Sequence, residues 1–304
     1  MKTFKSILEF QKHFNTDEKC RLFLEEQRWG GEPVCPFCGS DNCTRLKDKK
    51  RFQCNEKACR KQFSVTVGTI YENTKIPLVK WFYATYILSN HSKGISSLQL
   101  AKWLDVTQKT AWFLNHRIRE MLTEKATALL EGIVEVDETY VGGKESNKHK
   151  SKRTVKAGAG GKAMVFGAVE RGGDVVNKII PNTTSSTLVK AVEETVEVGS
   201  IMVSDENVGY KKLNKKYQHA TVNHSKGEYV RSKTHTNTIE GFWSLLKRQI
   251  YGIHHSVSPK HLQRYCNEAT YRYNSKSLTQ DEIFKNTLRN CEGRLKYCEL
   301  IKSK

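Results

Sequence analysis

Acidic side chains next to apolar segments are the residues of this sequence best suited to chemistry. Asp137 and Asp205 each directly follow a short apolar run with the character of a buried strand, and Glu240 lies in the helical segment Thr236–Ile250. Carboxylate oxygens are the hard ligands that Mg²⁺ prefers, and two such ions can activate a water or a 3′-hydroxyl and stabilise the leaving oxygen of a phosphodiester. The pattern predicts a Mg²⁺ (or Mn²⁺) site for phosphoryl transfer, held by these three acids.

Each strand-end acid has an acidic neighbour, Glu138 in one case and Glu206 in the other. We prefer Asp137 and Asp205 because each of them directly ends its apolar run. The ordinary alternative for a single acid at a strand end is a solvated loop residue.

The helical acid has a competitor and an accessory residue on the same face of its helix. Asn237, Glu240, Ser244 and Lys247 follow the spacing of three and four residues that aligns side chains on a helix. Lys247, two turns from Glu240, suits a phosphate contact beside a metal site. The alternative is a surface helix with salt bridges.

The elements around these acids follow an α/β order. A strand ending at Asp137 is followed by a basic loop at 144–162, a hairpin of Ala163–Glu170 and Val175–Pro181, and a helix at Ser185–Val196. The strand ending at Asp205 and the helix with Glu240 come next. This order predicts an RNase H-like catalytic domain in which the three acids meet.

Four of the nine cysteines form two close pairs with the spacing of a metal-binding ribbon. Cys35 and Cys38 are separated by two residues, and Cys54 and Cys59 by four. The residues between the pairs suit a β-hairpin, and Lys61–Ile70 alternates like a strand that completes its sheet. The pattern predicts a zinc ribbon with a tetrahedral Zn²⁺ on four thiolates. Ordinary reduced cysteines are the alternative, and Cys43 can also replace one of the ligands.

Residues 77–122 have the layout of a helix-turn-helix. A helix from Pro77 is followed by a second helix with a serine cap that ends at Leu104, a turn at Asp105-Val106, and a third helix that begins at Thr107. The third helix would face the major groove of DNA with its N-terminal side chains. The residues predicted to contact DNA here are Thr107, Gln108, Lys109, Thr110 and Arg117. A plain three-helix bundle is the alternative.

The whole chain is strongly basic, with 51 Lys and Arg against 32 Asp and Glu and a net charge of +19 over 304 residues. Residues 1–75, 76–130 and 131–304 are each basic, which favours a polyanionic partner and argues against one basic tail on a neutral enzyme. Double-stranded DNA is the predicted partner. Outside the helix-turn-helix, the predicted contacts are Lys211, Lys212, Lys215, Lys216 and Arg248. A solvated charged helix is the alternative for the four lysines.

Composition also narrows the class of protein. Hydrophobic residues make up 38% of the chain, enough for a buried core, and no apolar run approaches the about 20 residues that span a bilayer. Charged residues interrupt the first apolar stretch, so no secretory signal is indicated. We expect a soluble, intracellular protein without a membrane partner.

The expected organisation is multidomain. It comprises an N-terminal helical segment at 1–30, a zinc ribbon at 31–72, an all-α helix-turn-helix domain at 73–128, an α/β RNase H-like catalytic domain at 129–280 and a C-terminal helical extension at 281–304.

Five stretches of the sequence resemble a known family. They are CPFCGS, CRKQFSVTVGTI, VEVDETYVGGK, VSDENVGY and HTNTIEGFWSLLKRQIYGIHHSVSPKHLQRYCNEATYRYN. Together they are similar to bacterial insertion-sequence transposases of the DDE superfamily that join a zinc ribbon to an ISXO-type catalytic domain.

The resemblance implies cutting of DNA and strand transfer with Mg²⁺, by a homo-oligomer on paired transposon ends. It also implies a location in the bacterial cytoplasm, associated with the nucleoid. It implies catalytic roles for Asp137, Asp205 and Glu240, with Lys247 as an accessory basic residue. Members of this group carry Asn, His or Glu at the third catalytic position, so Asn237 competes with Glu240. A DNA-binding regulator without catalytic activity and an RNase H-like nuclease without strand transfer are the alternative functions.

Overall fold

The computed structural model describes residues 3–123, 128–143, 149, 151, 161–222 and 235–302, apart from the side chain of Lys215. The chain forms two compact units, one of Met1–Leu122 with Ser277–Lys304 and one of Thr123–Lys276. The segment 281–304 therefore folds with the predicted zinc ribbon and helix-turn-helix segments. Within the described part of the chain, no helix combines the length and apolar character needed to cross a membrane.

The first unit combines helices with a three-stranded antiparallel sheet. Its elements before residue 122 are α1 (Ile7–His13), α2 (Asp17–Trp29), β1 (Cys43–Arg45), β2 (Phe52–Cys54), β3 (Gln62–Phe63), α3 (Leu78–Asn90), α4 (Ser97–Leu104) and α5 (Gln108–Met121). The elements of the second unit are β4 (Ile133–Val141), β5 (Ala163–Glu170), β6 (Val175–Ile180), α6 (Ser185–Glu193), β7 (Ile201–Ser204), a 3-10 helix (Val208–Lys215), β8 (Gln218–Thr221), α7 (Asn237–Gln249), a π-helical turn (Ile250–His254) and α8 (Pro259–Asn274). Two helices, α9 (Gln280–Arg289) and α10 (Tyr297–Ile301), return to the first unit.

An aromatic cluster holds the C-terminal segment against the N-terminal helices. The ring of Phe284 on α9 lies 5.0 Å from that of Phe10 and 5.4 Å from that of Phe82, and all three side chains are fully buried. Aromatic rings in such edge-to-face pairs add attraction to the large apolar area that they bury. The cluster explains why α9 folds with α1 and α3, although nearly 200 residues separate α3 and α9.

The second and third helices of the predicted helix-turn-helix begin where the sequence places their caps. The Ser96 hydroxyl accepts a hydrogen bond from the backbone N–H of Gln99, and Thr107 accepts one from Thr110. Such caps satisfy N–H groups that lack a partner in the first turn of a helix. Asp105 ends α4 in the left-handed conformation, so only three residues join α4 to α5.

The strand predicted for Lys61–Ile70 is much shorter in the structure. β3 comprises only Gln62–Phe63, and turns follow it. The guanidinium of Arg28 on α2 donates hydrogen bonds to the backbone carbonyls of Val65 and Val67. Those carbonyls are thereby satisfied without a neighbouring strand.

The second unit is a five-stranded mixed sheet with helices on both faces. The strand order is β6-β5-β4-β7-β8, with β5 antiparallel to β4 and β6 while β4, β7 and β8 run parallel. One face packs Val134, Val136 and Met202 against α6 and the 3-10 helix. The other face packs against α7 and α8 through side chains that include Phe242 and Leu262. This order of strands and helices agrees with the predicted RNase H-like domain.

Candidate active site and zinc ribbon

The parallel pairing of β4 with β7 brings Asp137 and Asp205 to neighbouring positions. Glu135 on β4 is the partner of Val203 on β7, so the same register continued by two residues aligns Asp137 with Asp205. β7 ends at Ser204, directly before Asp205. β4 differs from the prediction, because it continues through Asp137 to Val141 in antiparallel pairing with β5. Asp137 therefore lies inside a strand, at the point where its parallel neighbour ends.

Helix α7 contacts this point through Trp243. The indole N–H of Trp243 donates a hydrogen bond of 2.9 Å to Oδ2 of Asp137. The ring stands over Gly167, which pairs with Asp137 across β4 and β5. A Cβ atom on residue 167 would lie 2.5 Å from Cη2 of Trp243, so the close approach of the ring requires glycine.

Three carboxylates interact electrostatically here. The pKa of Asp137 is raised to about 6, first by burial and further by the negative charges of Asp205 and Glu240. Hydrogen bonds from the backbone at Glu138 and from Trp243 oppose the rise because they favour the ionised form. A cation bound beside Asp137 would relieve this repulsion.

Glu138 faces the opposite side of the sheet from Asp137, since neighbouring residues of a strand alternate. Its carboxylate accepts a hydrogen bond from the hydroxyl of Tyr210 and lies 3.5 Å from Nδ2 of Asn207. Asn207 in turn donates its backbone N–H to Oδ1 of Asp205. Burial, and the charges of Asp137 and Asp205, raise the pKa of Glu138 to about 7. Glu138 thus supports the loop that carries Asp205.

The exposed face of α7 carries the other predicted residues. Glu240 is exposed, and its Oε1 accepts a hydrogen bond of 3.3 Å from the hydroxyl of Thr236. Asn237 is also exposed and is the first residue of the helix, while Lys247 is half-buried. The charge of Glu240 makes only a small contribution to the pKa shift of Asp137. Among the described residues, the four cysteines discussed next form a ready metal-binding group, whereas the three acids do not converge as closely.

The four predicted cysteine ligands converge in the first unit. The Sγ atoms of Cys35, Cys38, Cys54 and Cys59 all lie within 4.8 Å of one another. Although burial raises the pKa of Cys35, hydrogen bonds from the backbone of Phe37 and Cys38 and from neighbouring thiols outweigh it and lower the value to about 7. A cluster of thiols with one acidified sulfur fits tetrahedral Zn²⁺.

Cys43 lies beside this cluster but outside it. Its thiol is 3.5 Å from the carbonyl oxygen of Ser40, and it pairs with Cys54 across β1 and β2. The four residues between Cys54 and Cys59 form a turn after β2, in which the N–H of Cys59 donates to the carbonyl of Glu56. The wider spacing of the second pair is therefore compatible with convergence of the four sulfurs.

Two sequence families match the two parts of the chain that contain these sites. Residues 129–274 match the ISXO2-like transposase domain, and residues 15–62 match the transposase zinc-ribbon domain. The chain thus carries an ISXO2-like transposase domain together with a transposase zinc ribbon.

A curated relative of the transposase comes from another mobile element. It is an uncharacterized protein in the transposable element ISH50 of Halobacterium salinarum, 28% identical over 269 residues that cover 84% of this chain and 90% of the relative. Among solved structures, the Mos1 strand transfer complex aligns with 69% of this chain and 78% of the Mos1 chain, at 14% identity and a TM-score of 0.29. A pre-cleavage Mos1 transpososome aligns over 96% and 98% of the two chains, at 13% identity and a TM-score of 0.26.

The start of α5 in the transposase presents part of the predicted DNA-contact set to solvent. Thr107, Gln108 and Lys109 are exposed, and Thr110 is half-buried. Thr107 caps the helix, Gln108 donates to the hydroxyl of Ser97, and the ammonium of Lys109 lies 5.0 Å from the ring centre of Tyr297.

Arg117 does not share this exposure, and its assignment to DNA is corrected. Its side chain is buried, with 6% of the residue exposed. The guanidinium donates to the carbonyl of Glu72 and lies over the rings of Trp81 and Phe113. Arg117 is on the inner face of α5, and it serves packing within the first unit.

The predicted basic surface of the second unit is exposed where the structure describes it. Lys211 and Lys212 lie on the 3-10 helix, and the side chain of Lys215 is outside the described residues. Lys216 is exposed and forms an ion pair with Glu193, and Arg248 donates to the carbonyl of Ser244. Most of the basic loop at 144–162 is also outside the described residues.

Sequence reasoning missed the residues that hold the acids in place. Gly167 and Trp243 gave no signal of their own, because a glycine in a strand and a tryptophan in an amphipathic helix are both common. Glu135 offered one signal, since it is an acid at an inward-facing position of an apolar strand. A buried charge needs a compensating partner, which is itself a reason to examine such a residue.

Proposed function

We propose that this transposase binds the ends of its own element, cleaves the DNA there and joins the freed 3′-hydroxyl ends to target DNA. Water attacks the scissile phosphodiester and releases a 3′-hydroxyl. That hydroxyl then attacks a target phosphodiester and displaces its 3′-oxygen. Both steps use the acids Asp137, Asp205 and Glu240.

The observation that carries the proposal is the placement of these acids: the β4–β7 register aligns Asp137 with Asp205, and the helix that carries Glu240 is bonded to Asp137 through Trp243. Two come from adjacent parallel strands and the third from α7, and the charges of Asp205 and Glu240 both act on Asp137. In a protein of net charge +19 that only bound DNA, acids placed in this way would repel the phosphates unless cations lay between them. This arrangement favours a catalytic protein over a DNA-binding regulator.

The donor set fits Mg²⁺ or Mn²⁺, which take oxygen ligands. Asp137, Asp205 and Glu240 would hold the metal, which supplies activation of the attacking oxygen and stabilisation of the leaving oxygen. Lys247, half-buried two turns after Glu240, would contact a phosphate. Asn237 is the less favoured third residue, because its neutral amide is a weaker ligand for a divalent cation than the carboxylate of Glu240.

We further propose that α3 to α5 act as a helix-turn-helix, with the N-terminal end of α5 in the major groove. The three-residue turn and the exposed Thr107, Gln108 and Lys109 support this role. The ribbon, with Zn²⁺ on its four cysteines, packs as part of the same unit. Lys211, Lys212 and Arg248 would contact the DNA backbone, and synapsis of two ends requires a homo-oligomer.

The test is cleavage of the element's own ends in Mg²⁺, followed by joining of a pre-cut 3′ end to plasmid DNA. We expect both activities from the native chain and neither from Asp137→Asn or Asp205→Asn. Cleavage that survives both substitutions would disprove the catalytic assignment. Cleavage without joining would identify a nuclease, and specific end binding without cleavage would identify a regulator.

A further inference from the structure

A second acid of β4 lies in the core beside the candidate site. Glu135 is fully buried and precedes Asp137 by two residues, so both side chains face α7. Its carboxylate accepts hydrogen bonds from Nε of Arg171 (2.7 Å), from the backbone N–H (2.8 Å) and hydroxyl (2.9 Å) of Thr238, and from the backbone N–H of Ile239 (3.1 Å). It is therefore an ionisable group whose oxygens are fully used by protein donors.

Two of these donors belong to the first turn of α7. N–H groups in the first turn have no partner within the helix, and Thr236, at the N-cap position, makes no side-chain capping hydrogen bond. Glu135 supplies the missing acceptor from a different element. The positive end of the helix dipole also favours a carboxylate there. The cap of α7 is thus a tertiary contact to β4.

Arg171 extends this contact to the residue that leads into the helix. Its guanidinium donates through Nε to Glu135 and through Nη2 to the carbonyl of His235 (2.6 Å). Nδ1 of His235 lies 3.2 Å from Oε1 of Glu135. Arg171 directly follows β5, so β4, the end of β5 and the start of α7 are joined through one ion pair between the buried Glu135 and the partly exposed Arg171.

The same helix is attached to β4 a second time, where Trp243 donates to Asp137. Glu240 lies in the turn between Ile239, bound by Glu135, and Trp243. Two attachments on one strand fix both the position of α7 along its axis and its rotation. We propose that Glu135, together with Arg171, is a positioning residue that sets the placement of Glu240 relative to Asp137.

This inference rests on the proposed function, because it concerns the metal site of the three acids. The main variant is Glu135→Gln. The glutamine amide keeps one oxygen acceptor, but its NH₂ group would face the N–H groups of Arg171 or of α7. Two donors that face each other cannot form a hydrogen bond, so the start of the helix is disturbed. The matched control is Glu268→Gln, which replaces a fully buried carboxylate paired with Arg272 within α8. It removes the same kind of charge elsewhere in the second unit.

The readout is Mn²⁺ binding by the zinc-loaded full chain, titrated by electron paramagnetic resonance and compared with Asp137→Asn. Residues that orient metal ligands change metal affinity by roughly 10- to 100-fold when replaced. We expect Glu135→Gln to lose at least about tenfold in affinity on this basis, and Glu268→Gln to bind as the native chain does. A thermal melt of each variant reports folding separately.

Native Mn²⁺ affinity in folded Glu135→Gln would overturn the inference. If that variant does not fold, Arg171→Lys is tested in its place. Lysine keeps the positive charge but cannot donate to both Glu135 and His235 as the guanidinium does. Weakened Mn²⁺ binding then supports the inference, and unchanged binding overturns it. If Mn²⁺ binding is lost in Asp137→Asn but kept in the Glu135 or Arg171 variant, the positioning role is rejected and the proposed metal site stands. A native chain whose Mn²⁺ binding is unaffected by Asp137→Asn rejects the proposed metal site as well.

Discussion

Trp243 of α7 donates its indole N–H to Oδ2 of Asp137 of β4 over 2.9 Å. A side chain that is otherwise part of the core thus orients an acid of the candidate active site. The contact depends on a third residue, because the ring can reach Asp137 only by lying against Gly167 of β5. The site is therefore supported by packing on the face of the sheet that α7 covers.

Gly167→Ala tests this support. The new methyl group would lie 2.5 Å from the tryptophan ring, so we expect Trp243 to move away from Asp137 and the free energy of unfolding to fall by about 1–3 kcal/mol, as for other overpacked cores. DNA cleavage should fall with it. Gly241→Ala is the control, because position 241 on α7 has open space and should gain up to about 1 kcal/mol from helix propensity. Equal melting temperatures for the two variants would contradict the packing argument.

Asp137→Asn should stabilise the protein without Mg²⁺ or Mn²⁺ at neutral pH while it abolishes cleavage. The pKa of Asp137 in the folded chain is about 6, above its ordinary value of 3.8, so the folded state holds the proton more tightly than the unfolded state. Stability from this group is present below about pH 4 and is lost as the pH rises through 6. At about 1.4 kcal/mol per pKa unit, the variant gains at most about 3 kcal/mol at pH 7.5.

The measurement is the melting temperature of both chains at pH 4 and at pH 7.5, without added Mg²⁺ or Mn²⁺ and without a chelator, which would remove the ribbon zinc. The advantage of the variant should appear at the higher pH and shrink at the lower one. A variant that is less stable than the native chain at pH 7.5 would argue against an ionised Asp137 that destabilises the folded protein.

The zinc content of two cysteine variants tests the ribbon. Cys35→Ser removes one of the four converging sulfurs and should lower bound zinc well below one ion per chain, with a fall in melting temperature. Cys43→Ser leaves those four sulfurs in place and should keep one ion. Elemental analysis of the purified chains distinguishes them. Loss of zinc in Cys43→Ser alone would exchange the roles of the two residues.

The third catalytic residue can be assigned with two substitutions on α7. Glu240→Gln should abolish Mg²⁺-dependent cleavage, because it removes one of the three carboxylates proposed to hold the metal. Asn237→Ala, at an exposed position one turn earlier, should retain most of the cleavage rate. Rates are compared at saturating Mg²⁺ on a pre-assembled end substrate. The opposite ranking would assign the role to Asn237.

Lys109 and Arg117 should behave differently although both are basic residues of α5. Lys109 is exposed, so Lys109→Ala should weaken binding to the transposon end and lower the slope of log affinity against log salt by about 0.9. Arg117→Met should lower the melting temperature instead, because Arg117 is buried against Trp81 and Phe113. Fluorescence anisotropy at several salt concentrations gives the slope. An unchanged melting temperature in Arg117→Met, together with a smaller salt slope, would return that residue to the DNA contacts.

Local signals in the sequence were sufficient to predict several parts of this protein. The cysteine spacing predicted the ribbon cluster, and the polar residues Ser96 and Thr107 marked the starts of α4 and α5. The apolar runs before Asp137 and Asp205 predicted two buried strands with acids beside them. Each of these inferences depends on residues a few positions apart, whose types restrict the local backbone.

Other features followed from contacts between distant segments. Arg28 replaces a predicted strand pairing at Val65 and Val67, and packing turns Arg117 inward on a helix whose start is exposed. The return of α9 to the N-terminal helices depends on where Phe284 meets Phe10 and Phe82. No local pattern indicates which of many aromatic residues will meet.

The sequence by itself determined the kinds of groups this transposase has: four thiols for a zinc ribbon, a basic surface and three acids suited to divalent metal. The tertiary structure decided how those acids are held. Glu135 caps α7, and Gly167 admits Trp243 to Asp137, through contacts that span as many as 106 positions in the chain. The physical reason is that the position of a buried charge or ring is set by the donors and the space around it, and both are supplied by other segments only after the chain has folded.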